Sequence, residues 1–360
     1  LLRMLKDEYR NHFISGAMLR YEKPMMQHED IGTVSTDILF RPLKPVFDLC
    51  DLHSVIKNES AYYNSENKFS AWWYCCIPID CVKKNGLPMP FFVRGDDCEY
   101  SLRANANFIS MNGIFVWHMG FALKFNAAMD VYQQFRNLFI ASDSLPVMEK
   151  IGIYPLVKNF YKRELRKFNY NAVELMLRAF EDYMKGPKFL ERCDGEAKVK
   201  ENIKLNEKYE PLSKYPDIDI FWIEDCYRDE PRKMKDKVLF HLTDNGQRFS
   251  FEKVYKRKRK ISTAAFDFSI QTQKISMVKK YAAVNPFEEK VAVRVLDKQK
   301  YKDLTKRFNR DRAQYRKKHN EIKNAYIKAH KDFITEKFWN KYLELGEYDG
   351  KIINSYCSRI

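Results

Sequence analysis

The sequence predicts an α/β protein in two parts. An N-terminal α/β half covers residues 1–142, and a mainly helical, basic domain with a small β section at about 215–295 covers 143–360. Short apolar runs alternate with amphipathic stretches up to about residue 142, after which the composition shifts toward charged residues at helical spacing. The length of 360 residues also exceeds the size at which one hydrophobic core usually stops growing. With 45% hydrophobic and 15% aromatic residues the chain is not disordered, and no run approaches the roughly 18 uninterrupted apolar residues of a membrane span.

The elements follow in order. "LLRMLKDEY" (1–9) has helical spacing. "HFISGAML" (12–19), "SAWWYCCIP" (70–78), "PFFVR" (90–94) and "GIFVWH" (113–118) read as strands, and "DDCEYSLRANA" (96–106) and "NAAMDVYQQFRNLFIAS" (126–142) as helices. Residues 152–186 read as two helices, broken near Asn169 and ended by Gly186. In "KVLFHLTDNGQRFSFEKV" (237–254), Val238, Phe240 and Leu242 alternate ahead of Asp244-Asn245-Gly246 and Phe249 and Phe251 alternate behind it, which predicts a hairpin. From 297 to about 345, Tyr301, Leu304, Phe308, Tyr315, Ile322 and Tyr326 recur at helical spacing, so one or two long helices should pack a narrow apolar stripe.

A formal charge of +16 raises three partners: nucleic acid, an anionic membrane surface, or phosphate-bearing substrates. The eight cysteines (Cys50, Cys75, Cys76, Cys81, Cys98, Cys193, Cys226, Cys357) form no CxxC pair and fit mostly buried thiols in a reducing compartment. The opening has no initiator Met and no ordered signal-peptide sections, and is expected to be cut from a longer protein.

The chemistry concentrates in "FFVRGDDCEYSLR" (91–103). Gly95 suits the turn that starts a helix, Asp96 and Asp97 fall at its first positions, and Glu99 and Arg103 can pair one turn apart. One Asp there caps the helix, which is the plainer role. A second adjacent carboxylate adds repulsion, so it wants a cation, a sugar hydroxyl or a proton to remove. His118 ends a strand twenty-one residues after Asp97. A lone His is more often a satisfied core or surface group, yet imidazole and carboxylates together suit Mn²⁺ or another divalent ion. Trp72 and Trp73, read on a strand, point to opposite faces, one into the core and one toward a cleft where a sugar ring can stack.

These residues resemble the family 2 glycosyltransferases, specifically their galactofuranosyltransferase-like branch. The motifs are "WWYCCIPIDCVKKNGLPMPFFVRGDDCEYSLR", "NGIFVWHMGF" and "DVYQQFRN", and the resemblance spans roughly 12–142. It implies the C-terminal part of a GT-A domain, a Rossmann-like mixed sheet, with the remainder as a helical, basic extension. It implies Asp97 as the general base on the acceptor hydroxyl, Asp96 beside it positioning the acceptor, and His118 as the ligand of a divalent metal, Mn²⁺ or Mg²⁺. Trp73 and its neighbour Trp72 would line the sugar site. Tyr132, Arg136 and Asn137 match the helix bordering the donor diphosphate, with Arg136 as a substrate-binding residue. The co-substrate implied is a nucleotide sugar, UDP-linked, with UDP-galactofuranose as the candidate. The acceptor implied is a cell-surface glycan or a polyprenyl-diphosphate-linked glycan, extended from the cytoplasmic side by a protein peripheral to the membrane. A homo-oligomer is compatible with this pattern. The family's Asp-x-Asp metal loop has no counterpart here, since "DIDIF" near 217 stands in the wrong domain. The 360-residue piece alone is therefore expected to be inactive.

The rival reading is a non-catalytic basic module. "KVYKRKRK" (253–260) and "KRFNRDRAQYRKKH" (306–319) interleave aromatic and basic residues, as segments that bind nucleic acid or anionic lipid do, although a solvated helix face explains them as well. Nucleic acid is the less favoured partner. "HEDIG" at 28 lacks the second His of a zinc-protease helix, and no GxSxG or P-loop is present.

Overall fold

The structure is a computed structural model that describes residues 6–34, 40–61, 63–65, 67–121, 125–145, 152–216, 233–249, 262–265, 274–285 and 288–345. The architecture is α/β with open mixed sheets. The first apolar run splits at Gly16 into β1 (Phe13–Ser15) and β2 (Ala17–Arg20), and the Tyr74 ring packs on Gly16 so closely that a Cβ there would lie 2.5 Å from it. The split sends the two strands into different sheets. β3 (Lys23–Glu29), β4 (Gly32–Val34), β5 (Phe40–Pro42) and β6 (Phe47–Asp48) follow, then helix α1 (Leu52–Ser60), capped by Asp51. Next come β7 (Lys68–Phe69), β8 (Cys75–Cys76), α2 (Ile79–Asn85), α3 (Asp96–Arg103), β9 (Phe108–Ile109) and β10 (Phe115–His118). β1 lies between antiparallel β8 and parallel β9. β2 lies between parallel β10, which sets His118 against Arg20, and antiparallel β3, which pairs with β6 beyond. β4 pairs with β5 and β7.

A π-helical stretch, Ala128–Gln133, runs into α4 (Gln134–Ser144). Two helices follow as the spacing predicts: α5 (Ile153–Arg166) and α6 (Tyr170–Met184), with Asn169 accepting the Ala172 N–H at the break. α7 (Pro187–Glu191) and α8 (Gly195–Ile203) come next. The small β section is a sheet in the order β11 (Glu210–Pro211), β14 (Lys290–Val295), β13 (Lys280–Asn285) and β12 (Ser262–Ala265). α9 (Met234–Leu242) lies between β11 and β12 in the chain, and α10 (Lys298–Phe333) and α11 (Glu336–Tyr342) end the described chain.

The main hydrophobic core joins α4, α5 and α6 to α10 and β13. α10 seats its stripe there, with Leu304, Phe308, Ile322 and Tyr326 buried and Phe308 stacked on Tyr161 at 4.1 Å. Arg307 bonds Glu174 and Glu181, and Arg310 bonds Glu181 and Asp311, so part of the basic run 306–319 is spent on internal ion pairs.

Four expectations change. In place of a hairpin over 237–254, α9 buries Phe240 and leaves Val238 and Leu242 exposed, and its Asp244-Asn245-Gly246 turn takes positive φ angles. The reason is long-range. Asn245 Nδ2 donates to the Arg166 and Ile275 carbonyls at 2.9 and 3.0 Å, and its Oδ1 accepts the Met277 N–H at 2.7 Å, partners that a hairpin would forfeit. In "SAWWYCCIP" only Cys75–Cys76 is paired, and Trp72 and Trp73 sit in a turn. "PFFVR" is a bend rather than a strand, because Arg94 and Gly95 both adopt left-handed φ angles of 72° and 80°. The first helix reduces to a 3₁₀ turn at Asp7–Tyr9, with residues 1–5 outside the described residues. "DIDIF", "KVYKRKRK", the end of the expected hairpin, Cys226 and Cys357 also fall outside them. The six described cysteines are free thiols. Among the described residues no helix is long and apolar enough to cross a membrane.

Candidate functional site

The bend at Arg94 and Gly95 ends where α3 begins, and this delivers Asp96 and Asp97 to the rim of a cavity of about 610 Å³. Gly95 is required there by its backbone angle, and Arg94 tolerates the same left-handed region at a cost of about 1 kcal/mol. Asn137 holds the bend in place. Its Nδ2 donates to the carbonyls of Val93 at 3.0 Å and Arg94 at 2.7 Å. Arg136 in turn grips Asn137 Oδ1 through Nε at 3.1 Å and Nη2 at 2.9 Å, with its guanidinium over the Tyr132 ring. Arg136 is 1% exposed and does not line this cavity; it supports Asn137, and through it the bend.

The cavity brings Trp72, Trp73, Asp96, Asp97 and His118 together. Both tryptophans reach it because a turn, unlike a strand, does not force neighbours to opposite faces. Trp73 donates its indole N–H to the Gly16 carbonyl at 3.0 Å and packs against His118 and Phe121. Trp72 packs on Tyr100. The Trp72 indole N–H and Arg94 Nε are buried without a partner among the described residues.

Electrostatics separate the carboxylates. Asp97 keeps part of its surface on the cavity, but protein surrounds it otherwise; that burial, then the neighbouring Asp96, push its carboxyl up to about 7. The Cys98 N–H, 2.7 Å from Asp97 Oδ1, and the charge of Arg94 pull the other way and are outweighed. A place in the first turn of a helix therefore does not hold this carboxyl in its ordinary range, because the helix dipole does not offset the loss of water. Asp96 is also raised, chiefly by burial, although backbone N–H groups and Arg94 oppose the shift. Glu99 behaves oppositely. Burial raises its carboxyl, but hydrogen bonding to His330 and the charge of Arg103 outweigh that and hold it below its ordinary range. The predicted Glu99–Arg103 pair forms at 2.8 Å.

His118 closes one side of the cavity. Its Nδ1 lies 2.7 Å from the Met119 carbonyl, which can only accept, so Nδ1 carries a proton. His28 has the reverse arrangement, since Arg20 donates to its Nδ1 at 3.3 Å, and burial followed by Arg20 lowers its pKa. Among the described residues no group of three or more His, Cys, Asp or Glu side chains could hold a metal ion.

Sequence reasoning missed Glu29, Arg94 and Asp130. Glu29 lies in the cavity wall, where burial first, then Asp97 and Asp30, raise its carboxyl to about 8. Arg94 Nη2 forms an ion pair with Asp130 Oδ1 at 2.5 Å, and Asp130 also faces the cavity. The available signal was the acidic end of β3, "HED" at 28–30, which supplies His28 and Glu29 to the wall while Asp30 is buried against Lys44 at 2.5 Å.

No protein-family model matches the chain. It is 25% identical over 198 residues, 49% of this chain and 30% of the relative, to galactofuranosyltransferase GlfT2 of Mycobacterium tuberculosis. To galactofuranosyltransferase GlfT2 of Mycolicibacterium smegmatis it is 28% identical over 130 residues, 34% of this chain and 20% of the relative. The chain thus spans less than a third of the length of the curated relatives it matches.

Proposed function

We propose that this chain carries the acceptor side of a glycosyltransferase, an inverting enzyme whose N-terminal half is the later part of a GT-A domain. The observation that carries the reading is Asp97 in an aromatic-walled cavity with its carboxyl raised to about 7, near the pH at which a general base works best. The similarity to galactofuranosyltransferases supports UDP-galactofuranose as the donor and a cell-surface or polyprenyl-diphosphate-linked glycan as the acceptor.

In this reading Asp97 takes the proton of an acceptor hydroxyl while that oxygen bonds to the anomeric carbon of the donor sugar. The bond from that carbon to the nucleoside diphosphate breaks, the diphosphate leaves with the bonding pair, and the proton remains on Asp97. Asp96 fixes the acceptor. Glu29, raised to about 8, keeps its proton at neutral pH and donates a hydrogen bond to the acceptor sugar. Trp72, Trp73 and Phe121 exclude water and present ring faces to C–H groups.

His118 fits one position of a divalent-metal site, with Nδ1–H fixed by a carbonyl and Nε2 as donor atom. A divalent ion held there, Mn²⁺ or Mg²⁺, would supply counter-charge for a leaving diphosphate. His118→Ala in the full-length protein should raise the metal concentration for half-maximal activity by about 10-fold or more; an unchanged metal titration rules out that role.

The reading is tested by offering the full-length protein a panel of nucleotide sugars with a galactofuranose disaccharide and assigning the product's anomeric configuration by NMR. Transfer from UDP-galactofuranose with inversion is expected. Absence of transfer from every donor, or retention of configuration, overturns it.

A further inference from the structure

We propose that a second cleft beside the cavity binds the part of a neutral glycan acceptor that lies away from the reacting hydroxyl, a proposal that rests on the sugar-transfer reading. The cleft measures about 360 Å³, within the roughly 300–1,000 Å³ of small-ligand sites, and forms where the start of α6 and the chain after α8 meet the edge of the β13–β14 hairpin. It adjoins the first cavity. Phe125 lines both, and the next residue, Asn126, donates its backbone N–H at 2.8 Å to Asp130 Oδ2, a carboxylate of the first cavity.

The lining chemistry selects the ligand class. Asn126, Asn171 and Asn206 supply amides to the cleft, and Phe125 and Tyr209 supply rings. Asn171 donates Nδ2–H to the Leu205 carbonyl at 2.7 Å, and among the described residues no donor reaches its Oδ1. Asn126 Oδ1 accepts from the Ala128 N–H at 3.1 Å and from Asn206 Nδ2 at 2.8 Å, and among the described residues its own Nδ2 has no acceptor. The cleft therefore presents an acceptor and a donor, both uncharged, between aromatic faces. Sugar rings are bound in this way, by paired hydrogen bonds to hydroxyls and by stacking of C–H faces.

Charge excludes the main alternatives. Glu207 is engaged by Arg294 through two contacts of 2.7 Å, and the cation at the rim, Lys290, is paired with Glu288 at 3.4 Å. In a chain of charge +16 this lining is close to neutral. A phosphate or a nucleic-acid backbone finds no uncommitted cation among these residues, and an apolar lipid chain would bury the amides unpaired.

The test uses linear galactofuranose oligosaccharides of two and six residues. By titration calorimetry on the 360-residue chain, the hexasaccharide is expected to bind more tightly than the disaccharide. Asn171→Ala should weaken the hexasaccharide about 10-fold, the equivalent of about 1.4 kcal/mol, and leave the disaccharide unchanged. Asn171→Gln, which keeps a helix-compatible amide and fills the cleft, should act in the same direction. Equal affinity for both lengths, or wild-type hexasaccharide affinity in both variants with unchanged melting, overturns the cleft. In the full-length protein the variants should raise KM for the hexasaccharide and leave kcat alone. Unaltered length dependence alongside normal transfer removes the cleft and keeps the sugar-transfer reading. No transfer by the wild type removes that reading, and the binding titration then decides the cleft by itself.

Discussion

A general base works best when its pKa sits near the working pH, and in the proposed reading Asp97 is brought there by burial and by Asp96 rather than by the helix it starts. The sign of the pH dependence follows: the ionised form acts, so kcat/KM of the full-length protein should rise with pH through a midpoint of about 7. Asp96→Asn removes the second cause of the shift and leaves the first, so the midpoint should move down without reaching the ordinary carboxylate range. A pH–rate profile of the two proteins checks this, and a midpoint near 4 in the wild type would contradict it. The doubled aspartate and the Trp-His pair were legible in the sequence because each sits in one short motif. Glu29 and Asp130 were not, because they come from segments far from that motif and meet it only after folding, and the role of Arg94 beside the aspartates shows only once it pairs with Asp130. The raised carboxyls of Glu29 and Asp130 belong to that meeting.

At the scale of elements, α3 is held from both ends. Asn137 fixes the bend before it, and Glu99 within it binds Arg103 at 2.8 Å and His330 of α10 at 3.1 Å. His330→Ala leaves a buried carboxylate with one partner fewer. It should cost about 1–3 kcal/mol of stability at pH 7, measured by urea unfolding of the 360-residue chain, while a loss indistinguishable from zero would show that Arg103 suffices. The long elements were legible: α5, α6 and α10 carry their periodicity over many residues, and Asn169 and Gly186 mark boundaries by local chemistry. The short ones were not. β-rich composition in "SAWWYCC" and "PFFVR" reads as strand, but consecutive left-handed residues and the packing of Tyr74 on Gly16 impose turns. The same holds at Asn245, where three distant backbone groups decide the conformation.

At the scale of the whole molecule, the helical part is a support as much as an extension. α10 crosses α6 and α4, so the core that positions Arg136 and Asn137, and through them the bend before Asp97, is completed by residues near the described C-terminal end. Our account assigns acceptor activation to this chain and places most of the donor contacts outside its described residues. That division makes the two functions separable by one substitution. The direct test is Asp97→Asn in the full-length protein, with sugar transfer and UDP-galactofuranose affinity measured on the same preparation. The account predicts that transfer falls by about 100-fold or more, as for loss of a general base, while donor affinity stays at its wild-type value. Retained turnover, or loss of donor binding in parallel with activity, would contradict it.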